Sequence, residues 1–272
     1  VTEETILDAG VNNYIAAFAQ APRDNGWGMA LLDLSTGDFC VEKFATDAQL
    51  VDALIRFAPS ECLVGREAVL TQEISNILVR ANLSSVTEVD DWTYQFDAAT
   101  QELVRHFQVH SLEGFGISDS PELVGAAGAL IKYVKCDLLR AVGHIRTIRL
   151  STSGEYLLLD ETTCLNLDLV PMRARPKENT LLGVLDSTLT PMGARLMRTY
   201  LQRPSGRLDA VKKRHEAVGW FVQNRMAMSA LRSTLGEVRD LERLIARVGS
   251  GLGNGRDLKT LGQSLAAIPQ LK

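Results

Sequence analysis

This sequence predicts an α/β half followed by a mainly helical half, on three observations. Up to about residue 107, short apolar runs of period two alternate with amphipathic stretches of period near 3.6. From Ser111 onward such runs become rare, and apolar residues recur every three or four positions. Hydrophobic residues make up 46% of 272, the content of a folded chain long enough for two domains.

Asn13 to Ala19 reads as the first strand. Trp27 to Leu34 and Asp38 to Phe44 follow, joined across Ser35-Thr36-Gly37, where glycine is available for a positive φ. Thr46 is placed to cap a helix to about Ala58, with Leu50, Leu54 and Phe57 inward, and Pro59-Ser60 breaks it. Glu61 to Gly65 is a short buried strand. A helix spans about Ala68 to Ala81, with Ile74, Ile77 and Leu78 on one face. Val86 to Val89 is a fifth strand, and a helix from about Asp97 to Phe107 carries Leu103, Val104 and Phe107. Three leading antiparallel strands followed by strand–helix alternation make a mixed sheet flanked by helices, the element order of ribonuclease-H-like folds.

The second half opens on Ser118-Asp119-Ser120-Pro121-Glu122, a helix-start signal, with the helix expected to about Arg140. Its Gly125-Ala126-Ala127-Gly128-Ala129 segment suits close packing against another helix. Ile145 to Leu150 and Tyr156 to Leu159 predict a small hairpin across Ser151-Thr152-Ser153-Gly154. Asp160 caps a helix to about Leu167, and 169–177 reads as a loop. A short helix lies in 179–186. Thr190 caps a second one, with Pro191 in its first position and Pro204 ending it. Met192, Leu196 and Tyr200 share one face, which leaves Arg195, Arg198 and Arg203 to solvated surfaces. Asp209 is the expected cap of the next helix, and another begins near Arg225. Leu241 is expected in the core, where truncation to alanine costs about 2–5 kcal/mol.

A net charge of −4 and a pI near 5.7 argue against strong autonomous gripping of phosphates. No apolar run reaches membrane-spanning length, and no signal peptide opens the chain. The four cysteines lack ligand spacing and read as small buried hydrophobes of a reducing compartment. A ribonuclease-H-like nuclease needs clustered carboxylates for two metal ions. The first strand has no acid, the fourth has Glu61 only at its start, and Asp33 and Asp38 flank a turn where solvated aspartates are ordinary. Glu102, His106 and His110 have helical ligand spacing, but the helix ends near Phe107 and a fourth ligand is lacking. The glycine-rich 249–255 segment follows a helix and lacks a Gly-Lys-Ser/Thr ending. It therefore reads as an interhelical joint with Asn254 as the next cap. Arg239, Arg243 and Arg247, spaced by four with Asp240 and Glu242 among them, read as an ion-paired face.

Four segments resemble the MutS family of DNA mismatch-repair proteins, in family order. They are Asp33-Leu34-Ser35-Thr36-Gly37-Asp38-Phe39; Gly114-Phe115-Gly116 with Ala126-Ala127-Gly128-Ala129-Leu130; Leu181-Leu182 through Leu185-Asp186, Thr188, Thr190, Met192-Gly193, Arg195-Leu196, Arg198, Leu201 and Pro204; and Asp240-Leu241-Glu242-Arg243-Leu244 with Ala246-Arg247. The chain departs from the family at Gly143 and Gly255, where proline is usual, and at Cys136 to Arg140, where a more polar segment is usual.

The resemblance implies a linker over 1–10, a ribonuclease-H-like connector domain over 11–108, and the first part of a helical core, or lever, domain over 109–272. It implies that the mismatch reader, the DNA clamp and the ATPase lie in other parts of the family protein. This chain is then no enzyme and holds no cofactor itself, ATP and Mg belonging to the full-length protein. The role implied is a cytoplasmic relay of mismatch binding and ATP state, with MutL as docking partner. Mismatched duplex DNA is reached through the other domains, and homodimerisation belongs to the full-length protein. Gln101 and Glu102, on the polar side of the last connector helix, are the candidate docking residues. The competing readings are a stand-alone nuclease and a helical interaction module without a DNA role.

Overall fold

The computed structural model describes residues 8–22, 26–83, 85–152, 154–172 and 176–271. Its leading strands are Tyr14–Gln20 (β1), Trp27–Asp33 (β2) and Asp38–Phe44 (β3). They form an antiparallel meander in which Trp27 pairs with Phe44 and Asp33 with Asp38. Gly37 turns the chain at φ +78°. Every residue of β2 is buried, as befits a central strand covered on both faces.

Helix Asp47–Phe57 (α1) starts at Thr46, whose side chain accepts from Gln49 N. Strand Glu61–Gly65 (β4) then runs parallel to β1, and helix Gln72–Ala81 (α2) leads to Val86–Val89 (β5), parallel to β4. Helix Phe96–Phe107 (α3) ends at Gln108 in the left-handed region. Helix Pro121–Lys132 (α4) begins with proline in its first turn and continues through a π-helical turn over Tyr133–Asp137.

The two sheet faces bury alternate residues. Ile15, Ala17, Leu32, Val41 and Leu63 pack with α3 and α4 through Leu103, Leu123, Ala127 and Leu130. Ala16, Phe18, Met29, Leu31 and Val64 pack with α1 and α2 through Leu50, Leu54, Ile74 and Ile77. A one-residue shift of register would exchange these two sets.

The predicted hairpin does not form. Arg149–Ser151 (β6) instead pairs parallel with β3 and completes the sheet order β5-β4-β1-β2-β3-β6. Tyr156 makes an isolated bridge to Ser205. Ser153, placed by the sequence in the hairpin turn, lies outside the described residues. Leu150 packs against the sheet's own core, and that burial decides its partner. The sheet unit accordingly runs from Asn13 to Thr152, beyond the boundary read at residue 108, because α4 covers β1 and β2.

The second unit comprises residues 154–271 together with 8–12, among those described. Of the expected linker 1–10, residues 1–7 lie outside the described residues, as do 173–175 of the loop before Asn179. Asp160 caps helix Glu161–Asn166 (α5), and Thr180 caps Leu181–Leu185 (α6). Thr190 caps Pro191–Gln202 (α7), accepting from Gly193 N. Leu208–Gln223 (α8) starts after Arg207, so Asp209 is not its cap; it lies in the first turn, 2.9 Å from Arg207. Arg225–Leu235 (α9) and Leu241–Gly249 (α10) follow. Gly255–Ala267 (α11) begins with a capping box in which Asn254 and Asp257 each accept from the other's backbone N–H. A small core of Cys164, Leu169, Val170 and Leu182 takes Met197 and Leu201 from α7. Leu241 is only partly buried, and Leu244 is the buried leucine of α10.

Candidate docking face and arginine joint

Small residues bring α3 and α4 together. A Cβ on Gly128 would lie 2.5 Å from that of Ala99, and one on Gly125 would lie 2.6 Å from Tyr94 O. The short turn Asp91–Tyr94 is pinned by Thr93 Oγ1 donating to Asp90 O and Tyr94 Oη donating to Leu63 O. Trp92 therefore points outward, 47% exposed. The Lys132 ammonium stands 3.9 Å from the centre of its ring. Between these elements lies a surface cavity of about 230 Å³, with Trp92, Gln101, Glu102, Arg105 and Lys132 in its wall.

Both predicted docking residues thus line one cavity, but in different states. Gln101 is exposed. Glu102 is 13% exposed, and its carboxylate meets Lys135 at 2.5 Å and Arg105 at 3.6 Å. Reversing its charge would leave Lys135 without that partner. A stability cost follows, contrary to what a solvated helix residue predicts.

The metal reading of this helix has no geometric support. His106 Nε2 is 3.0 Å from Ile145 O, Glu102 is committed to Lys135, and His110 lies past the end of α3. Burial lowers the His106 pKa, opposed by its bond to Ile145. Among the described residues no group of three His, Cys, Asp or Glu side chains is placed to hold a metal ion.

The acids of the sheet are structural. Asp33, expected in solvent, is 0% exposed and accepts from Ser35 N, Ser35 Oγ and Asn13 N. Asp38 takes the Tyr14 hydroxyl at 3.0 Å. Glu61 takes Thr87 Oγ1 at 2.6 Å and Tyr133 Oη at 2.5 Å. Burial and that bond push the Tyr133 hydroxyl up to about 12. Cys40, Cys62 and Cys164 are buried and in no disulfide, and burial raises the pKa of the Cys62 thiol; Cys136 is exposed.

In the second unit α7 is turned the other way from its apolar pattern. Arg195 is 4% exposed whereas Leu196 is 50% exposed. Arg195 Nη1 donates to Ala9 O at 2.8 Å and to Asp240 Oδ2 at 2.7 Å. Its Nη2 donates to Asp240 Oδ1 at 2.8 Å and to Glu242 Oε2 at 2.6 Å. Asp240 also caps α10. Burial alone would raise the Asp240 pKa, but the bonds and charge of Arg195 and Arg243 hold it below the usual range. Arg243 donates to Asp8 O and Val11 O, and Arg247 pairs with Asp257 at 3.3 Å. Two of the three arginines of the row, Arg243 and Arg247, are therefore used inside the unit, and Arg239 is exposed. Arg203 is also buried, its guanidinium 4.6 Å from the centre of the Tyr156 ring. Sequence reasoning missed Arg195 as a joint. The Asp-x-Glu at 240–242 was its only signal, and it lies 45 residues away.

Comparison with known proteins follows the same division. A family model described as MutS domain II matches residues 13–146, and one described as MutS domain III matches 162–272. The DNA mismatch repair protein MutS of Myxococcus xanthus is 36% identical over 273 residues, covering all of this chain and 30% of the relative. The MutS of Methanococcoides burtonii is 32% identical over 280 residues, with 100% and 31% covered. That of Chlamydia pneumoniae is 35% identical over 273 residues, with 98% and 32% covered. The chain thus spans roughly a third of the length of these curated relatives. Among the described residues no helix is long and apolar enough to cross a membrane. On these matches, and on a mixed sheet followed by a helical unit in the same order, the chain belongs to the MutS family of DNA mismatch repair proteins and carries that family's domains II and III.

Proposed function

We propose that this chain is the connector and first lever segment of a cytoplasmic mismatch-recognition protein. It relays mismatch binding and ATP state between the DNA-binding and ATPase regions of the whole protein, and it helps to dock MutL. Contact with mismatched duplex DNA, ATP with Mg, and homodimerisation belong to the whole protein in this reading.

The observation that carries the reading is the Arg195 joint. One buried guanidinium ties α7, the start of α10 and the turn at Ala9 into a single ion-paired unit. A joint of this kind passes displacement from one helix to another instead of absorbing it, as coupling between distant sites requires. The docking part of the reading is supported by the cavity on the α3–α4 face. There Gln101 is the accessible contact, and Glu102 orients Arg105 and Lys135.

The test is Glu242→Gln in the full-length protein, since Glu242 is the exposed arm of the joint and its removal leaves the Asp240 fork in place. We expect mismatch affinity to hold while the factor by which mismatched DNA changes ATP turnover falls by about twofold or more, a loss of roughly 0.4 kcal/mol in coupling. An unchanged factor would remove the joint from the relay.

A further inference from the structure

We infer that the cavity between α3, α4 and the Asp91–Tyr94 turn is a receptor for the carboxylate side chain of an acidic peptide segment. This deepens the docking reading, and it rests on that reading for the claim that the face meets a protein.

The argument is charge and shape together. Glu102 is the carboxylate in the cavity wall, and Lys135 already neutralises it at 2.5 Å. Arg105, 73% exposed and 3.6 Å from the same carboxylate, and Lys132 then leave the mouth with net positive charge. Asp97, one turn before Gln101 on α3, is not in the wall.

A guanidinium fork donates two parallel hydrogen bonds to a carboxylate, and the Gln101 amide supplies a further donor. The part of the Trp92 ring left exposed beside Lys132 offers an apolar surface for the methylenes that carry such a carboxylate. Lys132 stands over that ring at 3.9 Å, a cation–π contact that favours one placement of its ammonium at the cavity. An ordered site loses less entropy on binding. Nucleic acid fits less well. It is gripped by several cations tracking successive phosphates, and here two cations meet at one cavity of about 230 Å³ in a chain of net charge −4.

The experiment uses the whole 272-residue chain with ¹⁵N-labelled tryptophan. The three indole signals of Trp27, Trp92 and Trp220 are followed as acetyl-hexaglutamate amide is added, with acetyl-hexaglutamine amide as the neutral control. We expect a saturable shift of the Trp92 signal with hexaglutamate alone. Arg105→Gln and Lys132→Gln should each weaken it by about fivefold or more, as losing one charge-assisted contact does. Lys212→Gln with Lys213→Gln, exposed on α8, should leave it unchanged.

Three results would each overturn the inference: no saturable Trp92 shift, an equal response to hexaglutamine, or equal weakening by the α8 pair. MutL affinity, measured on the same variants, separates the two readings. Hexaglutamate binding that depends on Arg105 and Lys132, beside MutL affinity indifferent to both, keeps the acidic-peptide receptor and removes MutL as its occupant. Failure of hexaglutamate removes the receptor whatever MutL does.

Discussion

Arg195 makes four charge-assisted or backbone hydrogen bonds from two nitrogens while almost wholly out of water. A buried ion pair of this kind is weak evidence for stability as a whole, because desolvation offsets much of the attraction. Removing one partner is another matter, since it strands the other charge in a low dielectric. Arg195→Ala is therefore expected to destabilise the helical unit by about 3–5 kcal/mol. Arg195→Lys should recover only part of this, because an ammonium cannot grip Asp240 through two parallel bonds. Urea unfolding followed by circular dichroism measures both, and a loss under about 1 kcal/mol for the alanine variant would show that the joint is dispensable. This residue also marks where sequence reading stops. An arginine every few positions on an amphipathic helix reads as solvated, and only the fold brings Asp240 and Glu242 to it. Gln101, by contrast, could be placed on the outer face of α3 from spacing alone, whereas the burial of its neighbour Glu102 depends on Lys135 from a different helix.

At the scale of elements, local chemistry was readable and pairing was not. The caps at Thr46, Asp160, Thr190 and Asn254 were visible because a capping side chain acts within three residues of itself. The pairing of β6 was not visible. Its period-two pattern fits a local hairpin equally well, and the choice is made by Leu150 packing into the sheet's core beside β3, whose Val41 lies over a hundred residues earlier. The approach of α4 to α3 lies between these cases. The run of small residues announced a close contact without naming the partner, which is Ala99. Gly128→Val tests that contact. Its Cβ would fall 2.5 Å from Ala99 Cβ and 2.6 Å from Ala99 Cα, so α3 must move. We expect a loss of about 1–3 kcal/mol or more by denaturant unfolding, with the Trp92 cavity disturbed as well. Gly114→Ala, where an added Cβ meets nothing within 4 Å, serves as the control. Equal stabilities of the two variants would mean that the helices are not held at this distance.

Taken whole, the molecule has two units of unequal depth. In the sheet unit β2 is buried along its entire length and α4 from Glu122 to Ile131. In the helical unit α8 and α9 have no buried residue, and Val218, Trp220, Val222 and Met226 are exposed. Stability against local opening follows buried apolar contact, so these helices should open at free energies well below that of the sheet. Native-state hydrogen exchange read by mass spectrometry tests this on the intact chain. Peptides covering 208–235 are expected to exchange first, with protection insensitive to Gly128→Val. Peptides covering 14–44 should be the last to exchange and should lose protection in that variant. The capping box of α11 and the Arg195 fork should place α7, α10 and α11 between these extremes, and Arg195→Ala should move those three toward the behaviour of α8 and α9. Protection of 208–235 equal to that of 14–44 would mean that exposed helices are stabilised by something other than burial, and the ranking of the two units would fail with it.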